Sequence, residues 1–240
     1  MLSGNNAKHF AQANDADCLH APRKTHPRDC DRLSLMTLDE WLGSADQALR
    51  TLTGGAHAAR PSPTAHESEL TAQERKLSGA LLRVDHVGEV CAQALYQAQA
   101  LSARSPQLRA HMQRAAAEEV DHLAWTERRL AQLGAHTSVL NPLWYAGAFG
   151  IGLLAGIAGD RWSLGFVAET ERQVEQHLAS HLDRLPGADA PSRAIVEQMK
   201  IDEAQHAADA QQSGAAVLPA PIRWAMRVAA RVMTRTAHHV

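Results

Sequence analysis

Apolar residues recur at helical spacing along most of the chain and predict a series of amphipathic helices. A short helix is predicted over residues 37–53, and the Gly- and Pro-rich stretch 54–63 is interpreted as a linker. Four long helices follow, over about 71–103, 105–133, 161–185 and 191–213, and a last helix covers about 222–236. Residues 71–213 show no pattern typical of a strand. The sequence therefore predicts an all-α protein built on a four-helix bundle.

Local signals place the ends of these helices. Thr71 and Glu74 form a T-x-x-E capping box at the start of the first long helix. Ser105 followed by Pro106 is a second N-terminal signal, because serine caps a helix and proline is tolerated in its first turn. Gly134 is expected to end the second long helix.

Composition limits the classes of protein that fit. Hydrophobic residues make up 45% of the 240 residues and charged residues 21%, as in ordinary globular proteins. Lysine and arginine number 24 against 26 aspartates and glutamates, so we expect no nucleic-acid partner. The three cysteines cannot form a disulfide framework, which indicates a reducing compartment. The 14 histidines suggest metal ligation, with a His-rich tail as the alternative.

Residues 1–35 are polar and lack a periodic apolar face, so we expect a disordered extension. No apolar stretch follows a basic start, and this speaks against a secretory signal peptide. The extension contains four zinc-type residues whose spacing fits no common zinc finger: Cys18, His20, His26 and Cys30. Met36 opens a more regular segment. We divide the chain into the extension 1–35, a short helix and linker at 36–63, and a main domain at 64–240.

Two of the long helices each contain the motif E-x-x-H, as Glu119 with His122 and as Glu203 with His206. Residues three apart lie on one face of a helix, so each pair can bind one metal ion together. The neighbouring positions on each face are mostly small or apolar, and an unpaired carboxylate there would be costly. A bound cation removes that cost. The alternative for each pair is ordinary charge on a solvated face.

Each motif is preceded by a glutamate at nearly the same distance. Glu89 lies 30 residues before Glu119, and Glu171 lies 32 residues before Glu203. The chain thus contains two helical hairpins of one design, as four-helix sites for two metal ions require. Four carboxylates and two imidazoles suit iron or manganese.

One stretch of the first long helix carries a more specific signal. Residues 83–89, Arg-Val-Asp-His-Val-Gly-Glu, resemble the RVDH-x-GE motif of the demethoxyubiquinone hydroxylases of ubiquinone biosynthesis. The resemblance extends over residues 71–240 and includes Asn-Pro-Leu-Trp at 141–144 and both E-x-x-H motifs. It implies a ferritin-like four-helix bundle with additional interfacial helices. It also implies a di-iron monooxygenase that uses O2 to hydroxylate a polyprenylated methoxy-methyl-benzoquinol, demethoxyubiquinol.

The same resemblance assigns two iron ions per chain to six residues of the expected types. These residues are Glu89, Glu119, His122, Glu171, Glu203 and His206. Within this set, Glu89 and Glu171 are candidates to bind one iron each. The glutamates of the two motifs, Glu119 and Glu203, are candidates to bridge both irons.

Further polar residues are candidates to orient the ligating imidazoles. Glu118 and Asp202 directly precede the motif glutamates, and each is expected to contact the histidine of the opposite helix. Asp85, His86 and His177 are additional candidates. The alternative for all five is ordinary surface or capping polarity.

Two segments predict contact with a membrane surface. Residues 142–159 are apolar but contain five glycines, so we expect them to lie in the membrane interface and not to span it. Their G-x-x-x-G pattern at Gly152 and Gly156 also occurs between membrane helices. The last helix has arginines at every fourth position beside apolar residues, which suits an anionic surface. Its candidate contact residues are Arg223, Trp224, Arg227, Arg231 and Arg235.

These features favour a peripheral enzyme on the cytoplasmic face of the cell membrane. Its expected partners are a prenylated quinol, O2, the membrane surface and other ubiquinone-biosynthesis proteins. Two other hypotheses stay open. The first is a ferritin-like protein that stores iron or scavenges peroxide with the same six ligands, and the second is a membrane-binding helical scaffold without metal.

Overall fold

The computed structural model describes residues 38–66 and 68–240. In these residues the chain forms seven helices: α1 (Leu38–Thr53), α2 (Ala72–Ser102), α3 (Pro106–Gln132), α4 (Asn141–Ile157), α5 (Asp160–Arg184), α6 (Ala190–Gln212) and α7 (Ala220–Ala237). No strand occurs within the described ranges, and the predicted all-α class is confirmed. The expectations for residues 1–35, including their zinc-type residues, lie outside the described part of the chain.

The predicted helix-end signals act as expected. The Thr71 hydroxyl accepts from the Glu74 backbone N–H at 3.2 Å, and the Thr71 N–H donates to the Glu74 carboxylate at 2.9 Å. Ser105 caps α3 by accepting from the Leu108 N–H at 3.2 Å. Gly134 follows the end of α3 with a φ of +67°, a conformation that glycine adopts without strain.

The bundle helices α2, α3, α5 and α6 share two apolar clusters that lie on either side of a polar layer. The first cluster includes one residue from each helix: Leu82, Trp125, Leu178 and Met199. The second cluster also includes a residue from each helix: Tyr96, Met112, Val167 and Ala210. On every helix the predicted metal ligands fall, along the chain, between these two sets. Two apolar layers therefore enclose the carboxylates and imidazoles.

Helix α4 covers the predicted interfacial segment and packs closely along α2. A Cβ at Gly152 would lie 2.8 Å from the Leu95 carbonyl oxygen, and one at Gly156 would overlap the Ser102 side chain. The G-x-x-x-G pattern therefore allows contact with a helix of the same chain. Among the described residues, no helix is long and apolar enough to cross a membrane.

The remaining helices flank the bundle. Ala48 and Leu52 of α1 pack on a cluster that contains Val90 of α2 and Tyr145 of α4. At its end, α7 buries Ala237 against α2. The 18 residues of α7 are otherwise mostly exposed.

Candidate metal centre

The six predicted ligands converge in the polar layer of the bundle. Glu89 comes from α2, Glu119 and His122 from α3, Glu171 from α5, and Glu203 and His206 from α6. All six are buried, and none is more than 7% exposed. The alternative of charges on solvated faces is therefore wrong for these residues.

Glu119 lies between the two histidines. Its Oε2 atom is 2.9 Å from Nδ1 of His122, and its Oε1 atom is 3.0 Å from Nδ1 of His206. Glu203 repeats this arrangement, with Oε1 3.4 Å from His122 Nδ1 and Oε2 3.5 Å from His206 Nδ1. Each of these two carboxylates thus presents one oxygen to each imidazole. Both imidazoles direct Nδ1 into the cluster.

The other two glutamates belong to opposite ends of the cluster. Glu89 Oε2 lies 3.6 Å from Nδ1 of His122. Glu171 accepts a hydrogen bond of 2.7 Å from the hydroxyl of Tyr96, a buried residue of α2. Glu89 therefore approaches the His122 end, while Glu171 is held in place by Tyr96, whose ring centroid lies 6.5 Å from that of His206.

The donor set fits divalent transition metals. Ligand atoms of Glu89, Glu119, His122 and Glu203 all lie within 4.8 Å of one another. Several buried atoms of the cluster contact each other without forming a hydrogen bond of good geometry: Glu89 Oε2, Glu119 Oε1, Glu203 Oε2 and His206 Nδ1. Unpaired buried carboxylate oxygens are costly, and a cation is the partner that satisfies several of them at once. Oxygen and imidazole donors in this ratio suit iron or manganese.

The pKa values show how strongly the cluster attracts positive charge. Burial, together with the charge of Glu119, raises the pKa of Glu89 well above its usual range. Burial and the charge of the neighbouring Glu203 also raise the pKa of Glu171 well above its usual range. Burial opposes protonation of His206, but Glu119 and Glu203 outweigh it and raise its pKa to about 12. Protons and metal ions therefore compete for the same carboxylates.

The outward nitrogens of both histidines face carboxylates of the opposite helix. His122 Nε2 lies 2.9 Å from Oδ2 of Asp202, and His206 Nε2 lies 2.7 Å from Oε2 of Glu118. When Nδ1 binds a metal, Nε2 keeps its proton and donates a hydrogen bond to the carboxylate. Such partners fix the orientation of the ring and increase its basicity as a ligand.

The segment interpreted as a linker also reaches the site. Arg60 Nε lies 2.6 Å from Asp121 Oδ2, and Nη2 of the same arginine lies 2.8 Å from Asp202 Oδ2. The backbone N–H of Ala59 donates to Asp121 at 2.6 Å, and the Arg60 guanidinium lies 4.9 Å from the Trp125 ring centroid. These contacts hold the segment against α3 and α6.

Sequence reasoning missed Arg60 and Asp121. Asp121 stands directly before His122, so an acidic residue beside the motif was the one available signal. That signal does not identify Arg60, which lies 61 residues earlier in the chain, as the partner of Asp121. Residues 54–63, interpreted as a linker, contain no helix or strand, and their contacts with α3 and α6 are not part of that interpretation.

The structure does not bring Asp85, His86 and His177 against the ligating imidazoles. Asp85 Oδ1 lies 2.7 Å from Nδ1 of His181, and the His177 and His181 rings are 4.1 Å apart. His86 is buried, and its Nδ1 atom has no hydrogen-bond partner. Burial lowers the pKa of both His86 and His177 to about 4. Asp85, His177 and His181 thus form a separate polar cluster.

The comparisons with known proteins agree on one family. The family model described as ubiquinone biosynthesis protein COQ7 matches residues 76–237. A 3-demethoxyubiquinol 3-hydroxylase of Variovorax paradoxus is 65% identical over 206 residues, which cover 85% of this chain and 99% of the relative. A protein of the same name from Nitrosomonas europaea is 56% identical over 208 residues, 86% of this chain and 100% of the relative. The chain belongs to the COQ7 family of ubiquinone biosynthesis proteins.

Proposed function

We propose that this chain is a di-iron monooxygenase that hydroxylates demethoxyubiquinol, as the names of its relatives indicate. The observation that carries the proposal is the buried cluster of four carboxylates and two imidazoles. A scaffold without metal would have to neutralise these carboxylates with buried protons, whereas a bound cation compensates them directly.

Glu89 and His122 would hold the first iron, and Glu171 and His206 the second. Glu119 and Glu203 would bridge the two, since each has one oxygen directed at each histidine. Iron ions held there would supply the activation of O2: with two electrons and two protons from an external donor, the overall reaction converts a ring C–H into C–OH and releases the second oxygen atom as water.

The side chains of this protein orient the ligands and exclude water. Asp202 and Glu118 accept from the outward nitrogens of the histidines and so fix both rings. The Tyr96 hydroxyl donates to Glu171 and keeps that carboxylate directed inward. The apolar clusters above and below the polar layer keep bulk water from the site.

Two exposed apolar surfaces support membrane docking. On α4 the exposed large side chains are Leu143, Ile151, Leu154 and Ile157. On α7, Trp224 is 62% exposed, and Val228 and Val232 follow it at helical spacing. Arg227, Arg231 and Arg235 lie exposed on the same helix. We place the protein on the cytoplasmic face of the cell membrane, where its prenylated substrate and other ubiquinone-biosynthesis proteins are available.

Product analysis with labelled oxygen tests the function. The iron-loaded full chain, supplied with a chemical reductant, a short-chain demethoxyubiquinol analogue and ¹⁸O2, should form a hydroxylated quinol with one labelled oxygen atom. A storage or peroxide-scavenging protein would oxidise iron without forming this product. Absence of hydroxylated quinol from fully loaded protein would contradict the proposal.

Liposome sedimentation tests membrane docking. Replacing Arg223, Arg227, Arg231 and Arg235 together by glutamine should move the protein from anionic vesicles to the supernatant, because each arginine contributes about 1 kcal/mol near such a surface. Binding of the unaltered protein should weaken as salt increases. Turnover of the short-chain analogue should stay near its original rate. Salt-insensitive binding of the altered protein would leave α4 as the attachment surface.

A further inference from the structure

A second cluster of metal-binding residue types connects α2 with α5 and shares no residue with the six predicted ligands. It consists of Asp85 of α2 and of His177 and His181 of α5. One ligand atom of each residue lies within 4.8 Å of the other two. Asp85 is 3% exposed and His181 is 1% exposed, whereas His177 is half-buried. A carboxylate and two imidazoles, all of them donors for divalent metal ions, therefore converge between the two helices.

The sequence of α5 places both histidines on one face of that helix. His177 and His181 are four residues apart, and side chains at this spacing are neighbours on a helix surface. Their ring centroids are 4.1 Å apart. Leu178, which stands between them in the sequence, belongs to an apolar cluster that also contains Leu82 of α2. The two imidazoles are therefore held beside an apolar layer, where unpaired polar atoms are costly.

The contacts within the cluster leave several polar atoms unsatisfied. Asp85 Oδ1 lies 2.7 Å from Nδ1 of His181, but neither atom forms a hydrogen bond of good geometry. Asp85 Oδ2 and His177 Nε2 also have no hydrogen-bond partner, and all four atoms are almost completely shielded from solvent. An ion pair between Asp85 and His181 alone would leave Oδ2 and His177 unmatched. A cation held by all three residues compensates the carboxylate and uses both imidazoles.

His177 is suited to bind a metal ion without first losing a proton. Burial, together with the charges of His181 and Arg184, lowers the pKa of His177 to about 4. The ring is therefore neutral near neutral pH, and the neutral imidazole is the form that ligates metals. Because His177 is only half-buried, it also offers an ion a route from solvent to the two buried residues.

The donor set indicates which metal the cluster takes. One carboxylate and two imidazoles form a common set for Zn²⁺, and nitrogen and oxygen sites bind Zn²⁺ more tightly than Fe²⁺. Bonds of about 2.1 Å place the ligand atoms of a tetrahedral zinc ion roughly 3.4 Å apart. The 2.7 Å contact between Asp85 and His181 is shorter. Zinc binding therefore requires these two side chains to separate by roughly 0.7 Å.

We propose that Asp85, His177 and His181 form a further metal site, which binds Zn²⁺ and links α2 to α5. Asp85 belongs to the hairpin of α2 and α3, and the two histidines belong to the hairpin of α5 and α6. The ion thus joins the two halves of the bundle and stabilises the folded chain by binding to it. The proposal does not depend on the proposed function, because none of the three residues is a predicted iron ligand.

Zinc binding to the iron-loaded full chain tests the site. After removal of excess Zn²⁺ by gel filtration, metal analysis should find one retained zinc ion per chain and unchanged iron. His177→Gln should raise the Kd for zinc at least about 100-fold, since loss of a ligand costs more than loss of its hydrogen-bonding partner. His136→Gln removes an exposed imidazole outside the cluster and is the matched control, with zinc affinity equal to the original. Equal zinc affinity of His177→Gln and the original protein would overturn the site.

Thermal melting with Asp85→Asn as a second variant gives an independent readout. At a free concentration of about 100 times its Kd, Zn²⁺ should raise the melting temperature of the original protein by about 5–10 °C. The same concentration should leave the melting temperatures of Asp85→Asn and His177→Gln nearly unchanged. Circular dichroism shows whether each variant folds. A zinc-induced shift of equal size in all three folded proteins would place the ion elsewhere and contradict the proposal.

Anomalous diffraction at the zinc absorption edge locates the ion directly. Crystals of the iron-loaded full chain soaked in Zn²⁺ should show a zinc peak bound by Asp85, His177 and His181. Zinc found only among the six predicted iron ligands, or only on exposed histidines, would overturn the proposal.

Discussion

The two ends of the metal site have the same ligands but different surroundings. At one end, the carboxylate that faces the His122 Nε2 atom is Asp202, whose side chain is 15% exposed and also contacts Arg60. At the other end, the carboxylate that faces the His206 Nε2 atom is Glu118, whose side chain is 56% exposed. The first imidazole is completely buried, and the second is 7% exposed.

This difference shows that a repeated hairpin does not give the two ends of the carboxylate and imidazole cluster equivalent surroundings. The ligands follow from a sequence pattern that occurs twice along the chain. The contacts that hold these ligands in place are not repeated in the same way. Among the described residues, Arg60 of the segment 54–63 forms ion pairs at the His122 end, with Asp121 and Asp202. We expect that end to hold its metal more rigidly, because its orienting carboxylate is itself fixed.

Removal of a bridging carboxylate should abolish the function of both ends. Glu203→Ala takes away the residue that approaches both imidazoles, so we expect loss of bound iron and of hydroxylation. Helical content measured by circular dichroism should stay near that of the original protein. Glu197→Ala, an exposed position on the same helix, is the control and should have full activity. Full activity of Glu203→Ala would overturn the site assignment.

Substitution of the orienting carboxylates should separate the two ends. Asp202→Asn should lower the affinity for one of two metal ions about 10- to 100-fold, the usual effect of losing such a partner. Glu118→Gln should lower affinity less than about threefold, because a solvent-exposed carboxylate interacts weakly. Titration of the metal-free protein with Co²⁺, followed by absorbance, measures both steps. Equal effects of the two variants would show that the ends are equivalent.

Arg60→Gln should reproduce part of the Asp202 effect. It removes the charged partner of Asp202 and Asp121, and we expect about a threefold to tenfold loss of affinity at one metal position. The melting temperature of the full chain should fall slightly. Arg50→Gln breaks an exposed ion pair of α1 with Asp46 and should change neither value. An unchanged Co²⁺ titration for Arg60→Gln would show that the segment 54–63 does not support the site.

The smallest effect is expected from deletion of residues 1–35. A chain that begins at Met36 retains all contacts described here for both ends of the site. Its iron content and its rate of hydroxylation should equal those of the full chain. A loss of iron would show that Cys18, His20, His26 and Cys30 contribute to metal binding.

The helices and their ligands were accessible from local sequence because their signals are short in range. The capping box at Thr71 and Glu74 and the two E-x-x-H motifs span four residues each. Glu89 and Glu171 follow from the nearly equal spacing of the two hairpins, and Glu118 and Asp202 follow from their position directly before the motif glutamates. These signals are sufficient to predict which residues face the interior of the bundle.

The contacts between distant segments could not be predicted in this way. Arg60 reaches Asp202 across 142 positions of the chain, and no periodicity connects the two. The glycines of α4 favour a segment in the membrane interface, and sequence alone does not show that Gly152 and Gly156 lie against α2. His177 and Asp85 were placed near the ligands by proximity along the chain, whereas their contacts are with His181.

The most direct test of the account is anomalous diffraction at the iron absorption edge from crystals of the iron-loaded full chain. We predict two iron peaks within the four-helix bundle, one bound by Glu89 and His122 and the other by Glu171 and His206. Glu119 and Glu203 should contact both. A single peak, or iron bound at Asp85, His177 and His181 with none among the six ligands, would contradict the central claim.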